Sequence, residues 1–207
     1  MTNTQTTRLS ARSSDPRAAR SRLAVLRAAV DELGASGYGA FSIESVAARA
    51  GVAKSTIYRH WPDKLAVIAD ALETFHQQIV PVPTGSPRAH LVSLIAHVAE
   101  ILSDSPFAAC IPALVEGAQR DRSVAAFHFG YAAERRAELA GVIRAGIAAG
   151  EIAESTDVDL VVLLLLGPLF YLRLMSTTPL APTDAKQLVD TVLGPPQRKR
   201  QRRGSSA

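Results

Sequence analysis

Apolar residues recur at intervals of three and four along most of the chain, and nowhere do they alternate as a strand would require. Leu23, Leu26, Val30 and Leu33 set out an amphipathic helix over residues 18–33. Gly34 and Gly37 are expected to end it, with Tyr38 and Phe41 plugging the core below. Ile43, Val46, Ala47 and Ala50 mark a short second helix, capped by Ser42 and stopped at Gly51. Ala53, Ile57 and Trp61 give a third helix one apolar line, and Pro62 is expected to open a fourth through Leu65, Ile68, Leu72 and Phe75. Beyond Pro81, Pro83 and Pro87 the same periodicity predicts helices over 88–102, from Ser105-Pro106 with a disturbance at Pro112, and over 121–149, 158–175 and 185–193. The fold expected is all-α. A three-helix head occupies residues 18–64, followed by a connecting helix and a helical body that end at residue 194; a basic arm (1–17) and a basic tail (195–207) flank them.

Residues 161–172 are apolar on every side, so their helix is either the centre of the body or half of a subunit interface. The charge-free run 160–172 falls short of the ~18–20 residues that a membrane helix needs. The N-terminus mixes Thr, Ser and Arg without an apolar signal core. A cytoplasmic protein with no membrane partner is the expectation.

The most specific chemistry lies in SIESVAARAGVAKSTIYRHWPDK, residues 42–64. Two short helices joined at Gly51-Val52 form a helix-turn-helix, and the second is too polar to be a core helix. Around its apolar line stand Lys54, Ser55, Thr56, Tyr58, Arg59 and His60, which supply donors, a phenol and positive charge to base edges and phosphates in a major groove. On a helical wheel Ser55 and Arg59 point away from Ile57. Arg59 and Lys54 suit guanine edges, and Ser55 and Thr56 suit either a base or a phosphate.

This stretch, with the GYGAFS segment before it, resembles the DNA-binding head of TetR-family repressors. The matching features are the capping Ser42, the Ala-rich helix, Gly51-Val52, Tyr58-Arg59-His60-Trp61 and Lys64, with Trp61 standing where the family most often has Phe. The resemblance implies that Ser42, Tyr58, His60 and Lys64 hold the DNA backbone. It also implies a repressor released by a small-molecule effector; a DNA-binding regulator without an effector is the alternative. The ending GEIAESTDVDLVVLLLLGPLFYLRLMSTTPL is similar to the C-terminal half of one branch, in which the last two long helices pair into a four-helix homodimer interface. On that basis Leu164, Leu165, Leu169, Leu172, Leu188 and Val192 are expected at the interface, and two heads read a palindromic operator.

Charge fits this picture. Residues 1–64 carry a net of +5, residues 65–194 a net of −6, and residues 195–207 five basic groups and no acid. A basic head and an acidic body orient the molecule on a polyanion. The helix from Pro62 is the expected carrier of changes from body to head.

Enzyme chemistry finds no constellation. His60, His76, His90, His97 and His128 form no metal-ligand spacing, Cys110 is the single cysteine, and no phosphate-binding glycine loop or nucleophile motif occurs. No cofactor and no metal are expected. Polar residues set among apolar ones in the body are His97, Cys110, Glu116, Gln119, His128 and Tyr131. They are the candidates for the effector cavity that the resemblance implies, mainly apolar with a few orienting polar groups.

Overall fold

A computed structural model describes residues 16–79, 81–83, 85–103 and 105–195. The basic tail after Pro195 and all but the last two residues of the expected arm lie outside the described residues. Among the described residues nine α-helices follow in order: α1 (Pro16–Ala40), α2 (Ile43–Ala50), α3 (Lys54–Tyr58), α4 (Lys64–Ile79), α5 (Pro87–Ser103), α6 (Pro106–Arg120), α7 (Arg122–Ala148), α8 (Val158–Met175) and α9 (Ala185–Leu193). A 3-10 turn, Pro182–Asp184, leads into α9, and no strand occurs among the described residues.

Three boundaries differ from the sequence expectation. α1 does not stop at Gly34, because α6 crosses there: a Cβ on Gly34 would stand 2.9 Å from the Cβ of Ala109. The break comes at Gly37, whose φ of 76° is open to glycine at no steric cost. α4 begins at Lys64 and not at Pro62, since the Asp63 carboxylate accepts the N–H of Ala66 at 2.8 Å and so supplies the cap. α3 is only five residues long, and Trp61 follows it in the turn with its N–H still bonded to the carbonyl of Ile57. Asp121 and Asp157 cap α7 and α8 through their side chains.

Two apolar clusters hold the described residues together. The first joins α1, α2, Ile57 and Trp61 to Val67, Ile68, Ala71 and Leu72 of α4, and also to Cys110, Ala113 and Leu114 of α6 and Val124 of α7. The head therefore rests on α6 as well as on α4, which gives the body a second route to it besides the connecting helix. A Cβ on Gly117 of α6 would meet the Tyr38 side chain at 3.0 Å, so glycine is what lets the two helices close. The second cluster packs α5, α7, α8 and α9 around Leu91, Ile95, Ile143 and Leu165.

Two arginines staple the body. Arg88 is buried; its guanidinium donates to Asp190 at 2.8 Å and to the carbonyl of Gly194, while its backbone N–H donates to Glu151 at 3.1 Å. Arg173 of α8 donates twice to the carbonyl of Ala108 on α6, at 2.9 and 2.6 Å. α8 is long and apolar enough by composition to cross a membrane, with a mean hydropathy of 2.0 over its 18 residues. One face, Val161, Val162, Leu165 and Leu169, is buried against the rest of the body.

Candidate nucleic-acid interface

The helix-turn-helix is assembled from short-range bonds. Ser42 Oγ accepts the N–H of Ser45 at 3.1 Å and caps α2. Gly51 closes the helix in the left-handed region (φ 66°, ψ 34°), and its N–H returns to the carbonyls of Ala47 and Ala48. Ile57 is fully buried and seats α3; Ala53 is exposed at its N-terminus and contributes nothing to that seat.

Trp61 fixes the far end. Its indole N–H donates to Asp70 Oδ2 at 2.8 Å, and Asp70 also accepts both bonds from Arg22 Nη2, at 2.6 and 2.5 Å. A phenylalanine would fill the same space but has no such donor, so the tryptophan ties the recognition segment to both α1 and α4. Arg49 of α2 pairs at 3.2 Å with Glu32, a buried carboxylate on α1. The frame is thereby braced on three sides.

On this frame Lys54, Ser55, Tyr58, Arg59 and His60 are exposed together, with Thr56 and Ser42 half-buried at the margin. A depression of about 220 Å³ runs between α1 and α3 and is lined by Arg17, Ser21, Arg22, Thr56, Arg59 and His60 among others. The exposed face is thus continuous with the basic start of α1. Lys64 is half-buried: Nζ donates to the carbonyl of Tyr38 at 3.1 Å and lies 4.1 Å from the centre of that ring. Lys54 Nζ meets the carboxylate of Glu44 at 2.7 Å. That bond holds the Glu44 carboxyl below the usual range and the lysine above its own. Lys54 was legible on the recognition helix, but its pairing with Glu44 was not, since ten residues and a turn separate them.

The six body candidates do not form one site. Cys110 is buried between α1 and α6, its Sγ 3.5 Å from the carbonyl of Val30, and burial pushes its thiol up to about 12. Glu116 pairs with Arg120 on the surface, and Gln119 is exposed. His128 is half-buried beside Phe129, and burial lowers its imidazole. Glu116 and Gln119, three residues apart on the exposed face of α6, thus face solvent, while Cys110 lies in the core.

Tyr131 instead converges with residues of α4 and α7 that the sequence did not single out, and His97 of α5 stands close enough to His76 to feel its charge. The His76 ring sits edge-on to Tyr131 at 6.4 Å and its Nε2 lies 3.4 Å from Glu138. Arg135 stacks on the Tyr131 ring at 5.0 Å and reaches Glu138 at 3.1 Å and Glu73 at 3.6 Å. Although Glu134 and Arg136 flank it, Arg135 is only 20% exposed, because Tyr131 and α4 cover it. Its Nε and Nη1 and the Nε2 of His97 are buried without a hydrogen-bond partner. Burial lowers His97 and pushes Tyr131 up to about 12. Among the described residues no three His, Cys, Asp or Glu side chains are grouped to hold a metal ion.

The expected interface residues separate in the same way. Leu165 and Leu169 are 0% and 2% exposed inside the chain's own core, which removes them from any partner surface. Leu164 is exposed, and Leu172, Leu188 and Val192 are half-buried. The outer face of α8 is instead Leu160, Leu163, Leu164, Tyr171, Leu174 and Met175.

A helix-turn-helix with an exposed polar recognition face, braced on an all-helical body, defines a DNA-binding transcriptional regulator and not an enzyme. Residues 25–71 match the description "Bacterial regulatory proteins, tetR family", and residues 81–192 match "Tetracyclin repressor-like, C-terminal domain". The chain belongs to the TetR family. An uncharacterized HTH-type transcriptional regulator of Bacillus subtilis, YdeS, is 34% identical over 164 residues, covering 78% of this chain and 82% of that protein. The TetR family transcription regulator SCO0332 superposes with a TM-score of 0.65 at 28% identity, over 84% of this chain and 97% of that one. The fold is shared with FadR from Bacillus subtilis, solved in complex with stearoyl-CoA (TM-score 0.64, 20% identity, 83% of this chain and 97% of that chain).

Proposed function

We propose that this regulator is a repressor that binds a palindromic operator as a homodimer in the cytoplasm and leaves it when a small molecule enters the body. The observation that carries the dimer is the outer stripe of α8. Leu160, Leu163, Leu164, Gly167, Tyr171, Leu174 and Met175 follow the three-and-four spacing of a single helix face, and none of the seven is charged. An apolar stripe of this size on a helix end-to-end is the mark of a partner surface. Pairing it with its symmetry mate sets two heads at half-sites spaced by one helical turn of DNA or a multiple.

In each head Arg59 and Lys54 address guanine edges, Ser55 and Thr56 address bases or phosphates, and Ser42, Tyr58, His60 and Lys64 hold the backbone. The effector site lies where α4, α5 and α7 meet, with the unpartnered donors of Arg135 and His97 as orienting groups and Tyr131 as a wall. FadR's complex with stearoyl-CoA supports the capacity of this fold to hold a small molecule. A regulator without an effector is the second reading, favoured by one observation: Arg135 is already paired with Glu138 and Glu73.

Binding of the full chain to a randomised duplex library tests the DNA half of the proposal, which predicts a palindromic winner. Effector affinity with and without that duplex tests the other half. Linkage requires the duplex to weaken the effector by the factor by which the effector weakens the duplex, about 5- to 150-fold. Equal affinities leave the second reading standing.

A further inference from the structure

The recognition face carries one negative charge. Glu44 is the second residue of α2, and its carboxylate lies 2.7 Å from the ammonium of Lys54, the first residue of α3. Both side chains are open to solvent, at 61% and 54% exposure. Surface pairs of this kind add little to folding stability, and the first turn of α2 accounts for an acid at this position but not for its pairing with Lys54. The N-terminal residues of a recognition helix are the ones that reach base edges. A carboxylate within bonding distance of Lys54 therefore enters the groove with it.

There it is repelled by phosphates on both strands. Only two groups in a major groove can donate to it, the N4 amino group of cytosine and the N6 amino group of adenine. Guanine presents two acceptors, N7 and O6, which suit the ammonium. The two charges cancel, so the pair adds little to sequence-independent attraction. Its contribution is to discriminate.

Resting on the DNA interface proposed above, we propose that Glu44 is a base-reading residue: its carboxylate accepts from the N4 amino group of a cytosine while Lys54 donates to an adjacent guanine, so that together they read two neighbouring base pairs in each half-site.

The test is selection from a randomised duplex library by the full-length protein and its Glu44→Gln and Glu44→Ala variants. The wild type is expected to select cytosine beside guanine in each half-site. Glu44→Gln should move that position to adenine, since an amide both accepts from N6 and donates to N7. Glu44→Ala should lose the preference there, on the order of ten-fold, and keep it elsewhere. In both variants the carboxylate that offset Lys54 is gone while Lys54 stays on its guanine, so the salt dependence steepens by about one ion. Three identical selected half-sites, with the variants merely weaker, overturn the role of Glu44. So does a variant that melts well below the wild type, because Glu44 is then structural. A wild type that selects no site at all overturns the DNA interface on which the inference rests.

Discussion

The ammonium of Lys64 is held by Tyr38 twice over, through the backbone carbonyl at 3.1 Å and through the face of the ring at 4.1 Å. Tyr38 in turn lies on Gly117 of α6. A residue that the family resemblance sets against the DNA backbone is thus positioned by a helix of the body. Gly117→Ala places a methyl group 3.0 Å from Cβ and Cγ of Tyr38 and must displace it. The expected cost is ~1–3 kcal/mol of stability, read from urea unfolding. Operator affinity should fall with it, and Lys64→Ala should then have a smaller effect than in the wild type, because the two changes act on one contact.

Arg59 and Lys64 should differ in kind. Arg59 is exposed on α3's polar face, and Arg59→Ala is expected to relax preference at one base pair per half-site by ~1–3 kcal/mol. Lys64→Ala should weaken all duplexes alike and flatten the salt slope by about one. Affinities across a set of single-base operator variants, at two salt concentrations, separate the two. Parallel losses for both would place Arg59 on the backbone.

Neighbouring positions on α8 should behave oppositely. Leu163 and Leu164 are exposed, whereas Leu165 is fully buried. The double variant Leu163→Glu, Leu164→Glu is expected to stay helical and sediment as a monomer. Leu165→Glu buries an unpaired carboxylate and should unfold the body. A charged Leu163, Leu164 variant that remains dimeric by sedimentation sends the interface elsewhere.

Burial lowers the imidazoles of His76, His97 and His128, with Arg135 adding to the effect on His76 and Glu138 opposing it, and with Glu100 opposing it on His97. The folded chain then binds protons less readily than the unfolded one, whose histidines titrate near 6.5. Stability from these groups is complete above about pH 6.5 and is lost as pH falls toward their folded values. Thermal midpoints should drop between about pH 7.5 and 5.5, and His97→Phe should lessen the drop. Glu44 and Asp190 shift downward, so their share is lost only at more acid pH and does not interfere.

The helices were legible because each announces itself in consecutive residues: Ser42 and Gly51 frame α2, Asp157 starts α8, and Ile57 shows which side of α3 is inward. What could not be read is what depends on crossing elements. α1 passes Gly34 because Ala109, seventy-five residues on, occupies the space beside it. Leu165 and Leu164 are equally apolar, and only the position of α5 and α7 decides which of them turns inward. The body candidates were chosen as polar residues among apolar ones, a rule that passes over Arg135 because its own neighbours, Glu134 and Arg136, are charged. Its burial comes from α4 and from Tyr131 one turn away. Glu44 was missed for the same reason, since its partner stands across the turn.

The Arg88 clamp also orders events during synthesis. Its guanidinium, at the start of α5, donates to a carbonyl 106 residues further on, at Gly194. While the chain is still being made, that arginine has neither this carbonyl nor Asp190, and a charge without partners is too costly to bury. α5 therefore cannot settle into its final place until translation has passed α9. The head is less dependent, but its apolar cluster still takes in Leu114 and Val124. A nascent chain can complete the head's apolar cluster once Val124 has been made, and can complete the Arg88 clamp only after Gly194 has.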